Sequence, residues 1–78
     1  MSMFVPVSTI EDLAGLDDDA IVEGYREGLR ASPDEPEPGP NRGRAFWHGW
    51  CNAMRDRCIF PPTPASKSLA REYLATRH

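Results

Sequence analysis

Apolar side chains recur with helical spacing from Arg42 to Ile59, and this is the strongest periodic signal in the chain. Asn41 precedes the segment and is a favoured residue type for a helix N-cap. The opposite, polar side of this predicted helix includes Arg44 and Asp56. One continuous sector, about 160° wide, collects the apolar residues Phe46, Trp47, Trp50, Cys51, Ala53, Met54 and Cys58. The pattern predicts an amphipathic helix with an aromatic face packed in a core.

A second helical pattern begins at the acidic run 17–19 and reaches about Ala31. Carboxylates at a helix start cap its first turn and complement its dipole. Gly24 and Gly28 lie one turn apart near the apolar side of this helix. Interior glycines cost about 1 kcal/mol each relative to alanine, and close approach of another helix is one reason to keep them. Gly49 occupies a similar boundary position on the aromatic helix, so we expect an antiparallel helical hairpin.

Short flanking helices are predicted at both ends of this pair. Ser8 and Glu11 have capping-box spacing, which predicts a helix over residues 9–14. Ser66 is the predicted cap of a final helix over 66–76. Its expected buried contacts are Leu69, Tyr73 and Leu74.

The chain is expected to form one small all-α domain over residues 1–78. Its hairpin core is placed at 18–59, and residues 1–7 are predicted to form an extended arm packed on the body, with a frayed tail as the alternative. Residues 32–43 contain four prolines and three acidic residues, a composition typical of an exposed loop.

The two halves of the chain carry opposite charge. Residues 1–37 hold ten acidic and two basic side chains, whereas residues 38–78 hold seven basic and two acidic ones. A basic half can approach phosphates, and an acidic half can engage a basic protein surface. The candidate basic and polar contact residues are Arg42, Arg44, His48, Asn52, Arg55 and Arg57. The candidate acidic contact residues are Asp17, Asp18, Asp19, Glu23, Asp34, Glu35 and Glu37.

Catalytic machinery is not visible in the sequence. It holds no glycine-rich phosphate cradle, nucleophile elbow or paired-carboxylate motif, so we expect a protein that is not an enzyme and uses no cofactor. In helical projection His48 points away from Cys51 and Cys58, which argues against a metal site.

The sequence contains two cysteines, and their spacing argues against a disulfide between them. Cys51 and Cys58 lie about 10 Å apart on a helix, too far for a disulfide. We expect two buried thiols, with an intermolecular disulfide as the alternative.

No apolar run approaches the length of a membrane span and no secretion signal is seen, so we expect a cytoplasmic protein with no membrane partner.

Two motifs resemble the ribosome modulation factor family. Residues 24–28 read Gly-Tyr-x-x-Gly, and after the proline-containing loop residues 47–57 read Trp-x-Gly-Trp followed by Ala-Met-x-Asp-Arg. The resemblance covers about residues 20–57. It implies a two-helix body that binds the ribosome near ribosomal RNA and silences it, commonly by pairing inactive ribosomes. With Phe46 from the aromatic face, the predicted structural core is Gly24, Tyr25, Gly28, Phe46, Trp47, Gly49, Trp50 and Met54.

The net charge of −3 departs from this strongly basic family. Fewer phosphate contacts weaken RNA binding through counterion release. The acidic half fits a second hypothesis, an inhibitor of the anti-CRISPR kind whose carboxylates occupy the basic nucleic-acid channel of a CRISPR effector complex. A third hypothesis, an enzyme that modifies small molecules, as proposed for some members of the broad family, finds no phosphate-binding motif in its support. The ribosome is the first choice of partner, and a homodimer through the final helix is also compatible.

Overall fold

The computed structural model describes residues 4–76, apart from the side chain of Thr76. The first three residues of the expected N-terminal arm lie outside this range. The described chain holds four α-helices and no strand, which confirms the all-α prediction for these residues. The helices are α1 (Ile10–Ala14), α2 (Asp18–Arg30), α3 (Gly43–Asp56) and α4 (Pro64–Thr76), with a 3-10 turn (Pro40–Arg42) directly before α3.

Polar side chains cap the first two helices. Helix α1 begins one residue later than predicted, because the hydroxyl of Thr9, not of Ser8, accepts a hydrogen bond from the backbone N–H of Asp12 at 3.1 Å. At α2, a carboxylate oxygen of Asp17 accepts from the N–H of Asp19 at 3.1 Å, so the acidic run starts this helix as expected.

The starts of the other two helices differ from the sequence expectation. Asn41 lies within the 3-10 turn, and the residue at the N-cap of α3, Arg42, makes no capping hydrogen bond with its side chain. Helix α4 begins at Pro64, two residues before its predicted cap. Thr63 and Ser66 there exchange hydrogen bonds, each hydroxyl accepting from the other residue's N–H at 3.1 and 2.9 Å. This reciprocal pair of hydrogen bonds is equivalent to a capping box. Pro64 lies between the two residues, at the first helical position, where proline is favoured.

Helix α3 ends at Asp56, three residues before the predicted end at Ile59. Cys58 adopts a left-handed backbone conformation with φ of 61°. Its N–H donates to the carbonyl of Arg55 at 2.9 Å, and the N–H of Ile59 donates to the carbonyl of Met54, also at 2.9 Å. These two bonds form a Schellman motif, whose left-handed position is usually glycine. The sequence carries no glycine there to mark the stop.

Helices α2 and α3 cross in direct backbone contact at their glycines. A Cβ built on Gly24 would overlap the carbonyl of Phe46, and one on Gly49 would overlap the backbone of α2. A Cβ on Gly28 would lie 2.7 Å from the Cβ of Ala53. Side chains at these three positions would force the helices apart, so the glycines fix how closely the two helices approach.

The order of the contacts between α2 and α3 shows that the two helices run in the same direction. The first glycine of α2 meets the first turn of α3, and the second glycine meets the last turn. Directly after the helices, Arg57 donates to the carbonyl of Ala31 at 2.8 Å. In an antiparallel pair the end of α2 would meet the start of α3, so the order of contacts is not that of the expected hairpin.

The connecting segment explains how the same-direction arrangement is reached. The twelve residues 31–42 can span about 40 Å when extended, at about 3.3 Å per residue. This span exceeds the length of α3, a fourteen-residue helix of roughly 21 Å. The segment can therefore return along the helix pair before α3 begins. Its passage across α3 is marked by Glu37, whose carboxylate accepts a hydrogen bond from the indole N–H of Trp47 at 2.6 Å. Residues 32–37 are exposed.

The core lies on the aromatic face of α3. Phe4 packs against Trp47 with ring centroids 5.4 Å apart, and Phe60 meets Trp50 edge-on at 5.8 Å. Segments before α1 and after α3 thus cover the aromatic face. The buried apolar residues are Val7, Ala31, Phe46, Trp47, Trp50, Cys51, Ala53 and Met54. Within residues 4–76, no helix has the length and apolar character needed to cross a bilayer.

Candidate partner-binding surfaces

Arg44, a candidate for partner contact, ties the N-terminal segment to α3. Its two terminal nitrogens donate to the carboxylate of Asp12 at 2.7 and 2.5 Å, and its Nε donates to the carbonyl of Val5 at 2.8 Å. The hydrogen bond from Arg44 lowers the pKa of Asp12 and in turn raises the pKa of Arg44. This guanidinium is therefore occupied inside the molecule.

Arg57 and Arg42 are also engaged within the fold. Arg57 donates from Nη1 to the carbonyls of Gly28 and Ala31 at 2.6 and 2.8 Å. A cation at this place satisfies the last carbonyls of α2 and complements its dipole. Arg42 pairs with Glu27 at 3.0 Å, and its guanidinium carbon lies 3.9 Å from the centre of the Phe46 ring. Three of the four candidate arginines thus have structural partners.

The other three candidates form a hydrogen-bonded chain along α3. Arg55 donates to the side-chain oxygen of Asn52 at 2.7 Å, which leaves the amino group of Asn52 facing Nε2 of His48 at 3.2 Å. Nε2 must then accept, so the imidazole is neutral and carries its proton on Nδ1. His48 is only 4% exposed, although the sequence pattern placed it on the polar side of the helix. Burial, followed by the charges of Arg55 and Arg44, lowers the pKa of His48.

These three residues form one wall of an open groove between α3 and α4. The groove has a volume of about 430 Å³. Most of its lining comes from α4, where apolar residues recur at helical spacing, and from Leu13 of α1. Tyr73 and Leu74, which the sequence predicted as buried contacts, remain 56% and 63% exposed. The complete lining is Leu13, His48, Asn52, Arg55, Ser66, Leu69, Ala70, Tyr73 and Leu74.

The sequence could have revealed half of this groove. The apolar stripe of α4 was visible in the sequence, but its position opposite the polar side of α3 across the groove was not. Leu13 gave no signal, because α1 is a helix of five residues with no buried side chain.

Some of the candidate acidic residues have a carboxylate that already accepts a hydrogen bond within the fold, whereas the carboxylates of the others are unoccupied, that is, without such a partner. Asp17 caps α2, Asp34 accepts from the hydroxyl of Ser32 at 2.5 Å, and Glu37 binds Trp47. The exposed side chains of the remaining four make no hydrogen bond or ion pair with any residue in 4–76; these are Asp18, Asp19, Glu23 and Glu35. Three of these four belong to α2.

The predicted core residues lie where the two main helices meet. The three glycines and the four larger residues of α3 are buried. Tyr25 is half-buried, and its hydroxyl donates to Asp56 at 2.6 Å, which raises the pKa of the phenol. The full set is Gly24, Tyr25, Gly28, Phe46, Trp47, Gly49, Trp50 and Met54.

The two cysteines have different environments, and neither is in a disulfide. Cys51 is buried as expected, and its burial raises the pKa of the thiol to about 12. Cys58 is exposed in the left-handed turn after α3, not buried as expected. No group of three or more His, Cys, Asp or Glu side chains in residues 4–76 converges as a metal site would.

Comparison of this chain with protein-family models, curated proteins and solved structures finds no significant match. The resemblance to ribosome modulation factors therefore rests on the motif residues alone.

Proposed function

We propose that this protein is a non-enzymatic regulator that docks on a ribonucleoprotein complex at one-to-one stoichiometry, and that the complex is the ribosome. The observation that carries the proposal is the crossing of α2 and α3. The motif glycines, Gly24 and Gly28 on one helix and Gly49 on the other, interlock at that crossing. The two motifs thus act as one structural unit, which supports a two-helix body of the ribosome modulation kind.

Two of the cations available to ribosomal RNA lie on α4. Lys67 and Arg71 are exposed and one turn apart, and their side chains make no hydrogen bond or ion pair with any described residue. Among the described residues, the guanidinium of Arg55 donates only to Asn52. If these three side chains neutralise three phosphates, the logarithm of the binding constant should fall with the logarithm of salt concentration at a slope of about −2 to −3.

Co-sedimentation with purified ribosomes tests this proposal. We expect the wild-type protein to pellet with ribosomes at low salt and the variant Lys67→Glu/Arg71→Glu to stay in the supernatant. Arg26→Glu/Arg30→Glu is the matched control, because Arg26 and Arg30 are also exposed and one turn apart, but on α2. Arg44 is unsuitable for such a test, since its loss would break its hydrogen bonds to Asp12 and Val5 within the fold. A wild-type protein absent from every ribosomal fraction would rule out the ribosome as target.

The unoccupied carboxylates of α2 favour a second candidate function. Asp18, Asp19 and Glu23 could present negative charge to the basic nucleic-acid channel of a CRISPR effector complex. Under this alternative, the protein inhibits target binding by a purified effector, and the variant Asp18→Asn/Asp19→Asn/Glu23→Gln relieves that inhibition. Lys67→Glu/Arg71→Glu should inhibit as well as the wild type, a pattern opposite to that expected for the ribosome.

A further inference from the structure

The groove between α3 and α4 combines an apolar floor with a polar end. Leu13, Leu69 and Leu74 contribute apolar surface, whereas Asn52 and Arg55 contribute hydrogen-bond donors. The volume of about 430 Å³ falls within the range of sites that bury small organic ligands, and such sites typically pair an apolar lining with a few fixed polar groups. The groove is large enough and apolar enough to hold a ligand.

The polar end of the groove offers donors and one positive charge. The groove lining includes one cation, Arg55, and no acidic side chain. The guanidinium of Arg55 uses one of its five N–H donors, toward Asn52, and makes no other hydrogen bond with a described residue. Asn52 gives one amino hydrogen to His48 and keeps a second. A ligand head that matches this end must accept hydrogen bonds and carry negative charge.

The polar wall is fixed before any ligand arrives. His48 is 4% exposed and holds Asn52 from one side, while Arg55 holds the same amide from the other. All three residues lie on α3, whose position is set by the glycine crossing with α2. A wall of this kind needs little rearrangement to receive a ligand, which favours binding.

We infer that this groove binds an amphipathic small molecule, with its apolar body along α4 and its carboxylate on the guanidinium of Arg55. The inference is independent of the proposed docking on a ribonucleoprotein, because it uses the inner face of α4, whereas Lys67 and Arg71 do not line the groove. Binding adds a ligand-responsive site to a small regulator.

Titration by two-dimensional NMR tests the inference with two matched probes, octanoate and octan-1-ol. Both have the same apolar chain, but only octanoate carries a carboxylate. We expect octanoate to shift the amide signals of α3 and α4 along the groove in a saturable manner. Its affinity should exceed that of octanol by about tenfold, the size of one charge-assisted hydrogen bond at a half-exposed site.

Three variants locate the binding. Arg55→Gln should remove the preference for octanoate and leave the affinity for octanol unchanged. Ala70→Leu fills the groove and should abolish binding of both probes. Ala75→Leu is its matched control, because Ala75 is also exposed on α4 but does not line the groove.

Other outcomes overturn the inference. Equal affinity for the two probes would show that the groove does not select a carboxylate. Binding that survives Ala70→Leu would place the ligand elsewhere. A wild-type dimer in sedimentation equilibrium that Ala70→Leu converts to a monomer would show that a second copy of the chain, and not a small molecule, covers the groove.

Discussion

The carboxylate of Asp12 in α1 accepts hydrogen bonds from both terminal nitrogens of Arg44 in α3, at 2.7 and 2.5 Å. Bidentate pairs of this kind combine charge with fixed geometry. Because α1 has no buried residue, polar contacts of this type hold it on the body. The same guanidinium also holds the carbonyl of Val5 at 2.8 Å, so one side chain anchors two parts of the N-terminal segment.

Replacing Arg44 by glutamine should therefore destabilise the protein in a pH-dependent way. The pKa of Asp12 is lowered from 3.8 in the folded protein, so the stabilisation is present above the unfolded-state value and is lost as pH falls through the folded-state pKa. The difference in melting temperature between wild type and Arg44→Gln, measured by circular dichroism from neutral pH to acid, should narrow as pH falls through that pKa, and the hydrogen bond to Val5 accounts for what remains. A difference that stays constant into strong acid would contradict this role of the pair. Arg26→Gln, on an exposed arginine of α2, is the control.

Placing a methyl group at the helix crossing should also destabilise the fold. In Gly24→Ala the new Cβ would overlap the carbonyl of Phe46. We expect a loss of about 1–3 kcal/mol in the free energy of unfolding, in spite of the better helix propensity of alanine. Gly15→Ala is the control, since its nearest neighbour, the carbonyl oxygen of Asp12, lies at 3.5 Å. Urea unfolding followed by tryptophan fluorescence measures both, and equal stability of the two variants would argue against the close crossing.

The periodicity of the sequence was sufficient to place the two main helices but not to orient them. Caps and apolar spacing are local properties, so they located the N-cap of α2 at Asp17 and the aromatic face of α3. The direction of one helix relative to another depends on the path of the connection, and the glycines are compatible with either direction. The two helices can run in the same direction because the loop between them is long enough to return along their length. Hydrophobic periodicity carries no information about the path of that loop.

The candidate site shows the same limit. Helical projection places His48 on the polar side of α3, yet the side chain is only 4% exposed, because its burial depends on parts of the fold that are distant in sequence. The internal use of Arg44 and Arg57 was equally invisible, because their acceptors lie 26–39 positions away in sequence. The sequence therefore predicts well which side chains share a face of α3. Their partners come from elements distant in sequence.

Burial of His48 should make the protein less stable at mildly acidic pH. Burial and the nearby charges of Arg55 and Arg44 lower the pKa of His48 from 6.5, although Asp12 opposes part of this effect. Below the unfolded-state value the unfolded chain binds a proton that the folded chain does not, so stability falls as pH decreases toward the folded-state pKa. The slope can reach about 1.4 kcal/mol per pH unit.

Urea unfolding of wild type and His48→Gln between pH 7.5 and 5, a range chosen about the ordinary histidine pKa, measures this effect. We expect the stability of the variant to depend less on pH than that of the wild type. Nitrogen chemical shifts of the imidazole should also show the proton on Nδ1. Parallel pH profiles for the two proteins would contradict the burial of a neutral ring.

The two thiols should react at very different rates. Cys58 is exposed, whereas Cys51 is buried with a pKa raised to about 12. Because the thiolate is the reactive form, Cys58 should react readily with an aromatic disulfide reagent and Cys51 only as the protein unfolds. Cys58→Ser should remove the fast phase, and Cys51→Ser should leave it. Two fast phases in the native wild type would contradict the burial of Cys51.

Replacing Cys58 by glycine should stabilise the protein, because position 58 holds φ of 61° and ends α3 in a Schellman motif. Glycine avoids the left-handed strain of a side chain but adds freedom to the unfolded chain, so the net gain is about 0.5–1 kcal/mol. Cys58→Val should lose stability, since a branched side chain is disfavoured there. Thermal unfolding of the two variants therefore separates a backbone effect from loss of the thiol. Equal stability for glycine and valine would mean that α3 continues past Asp56.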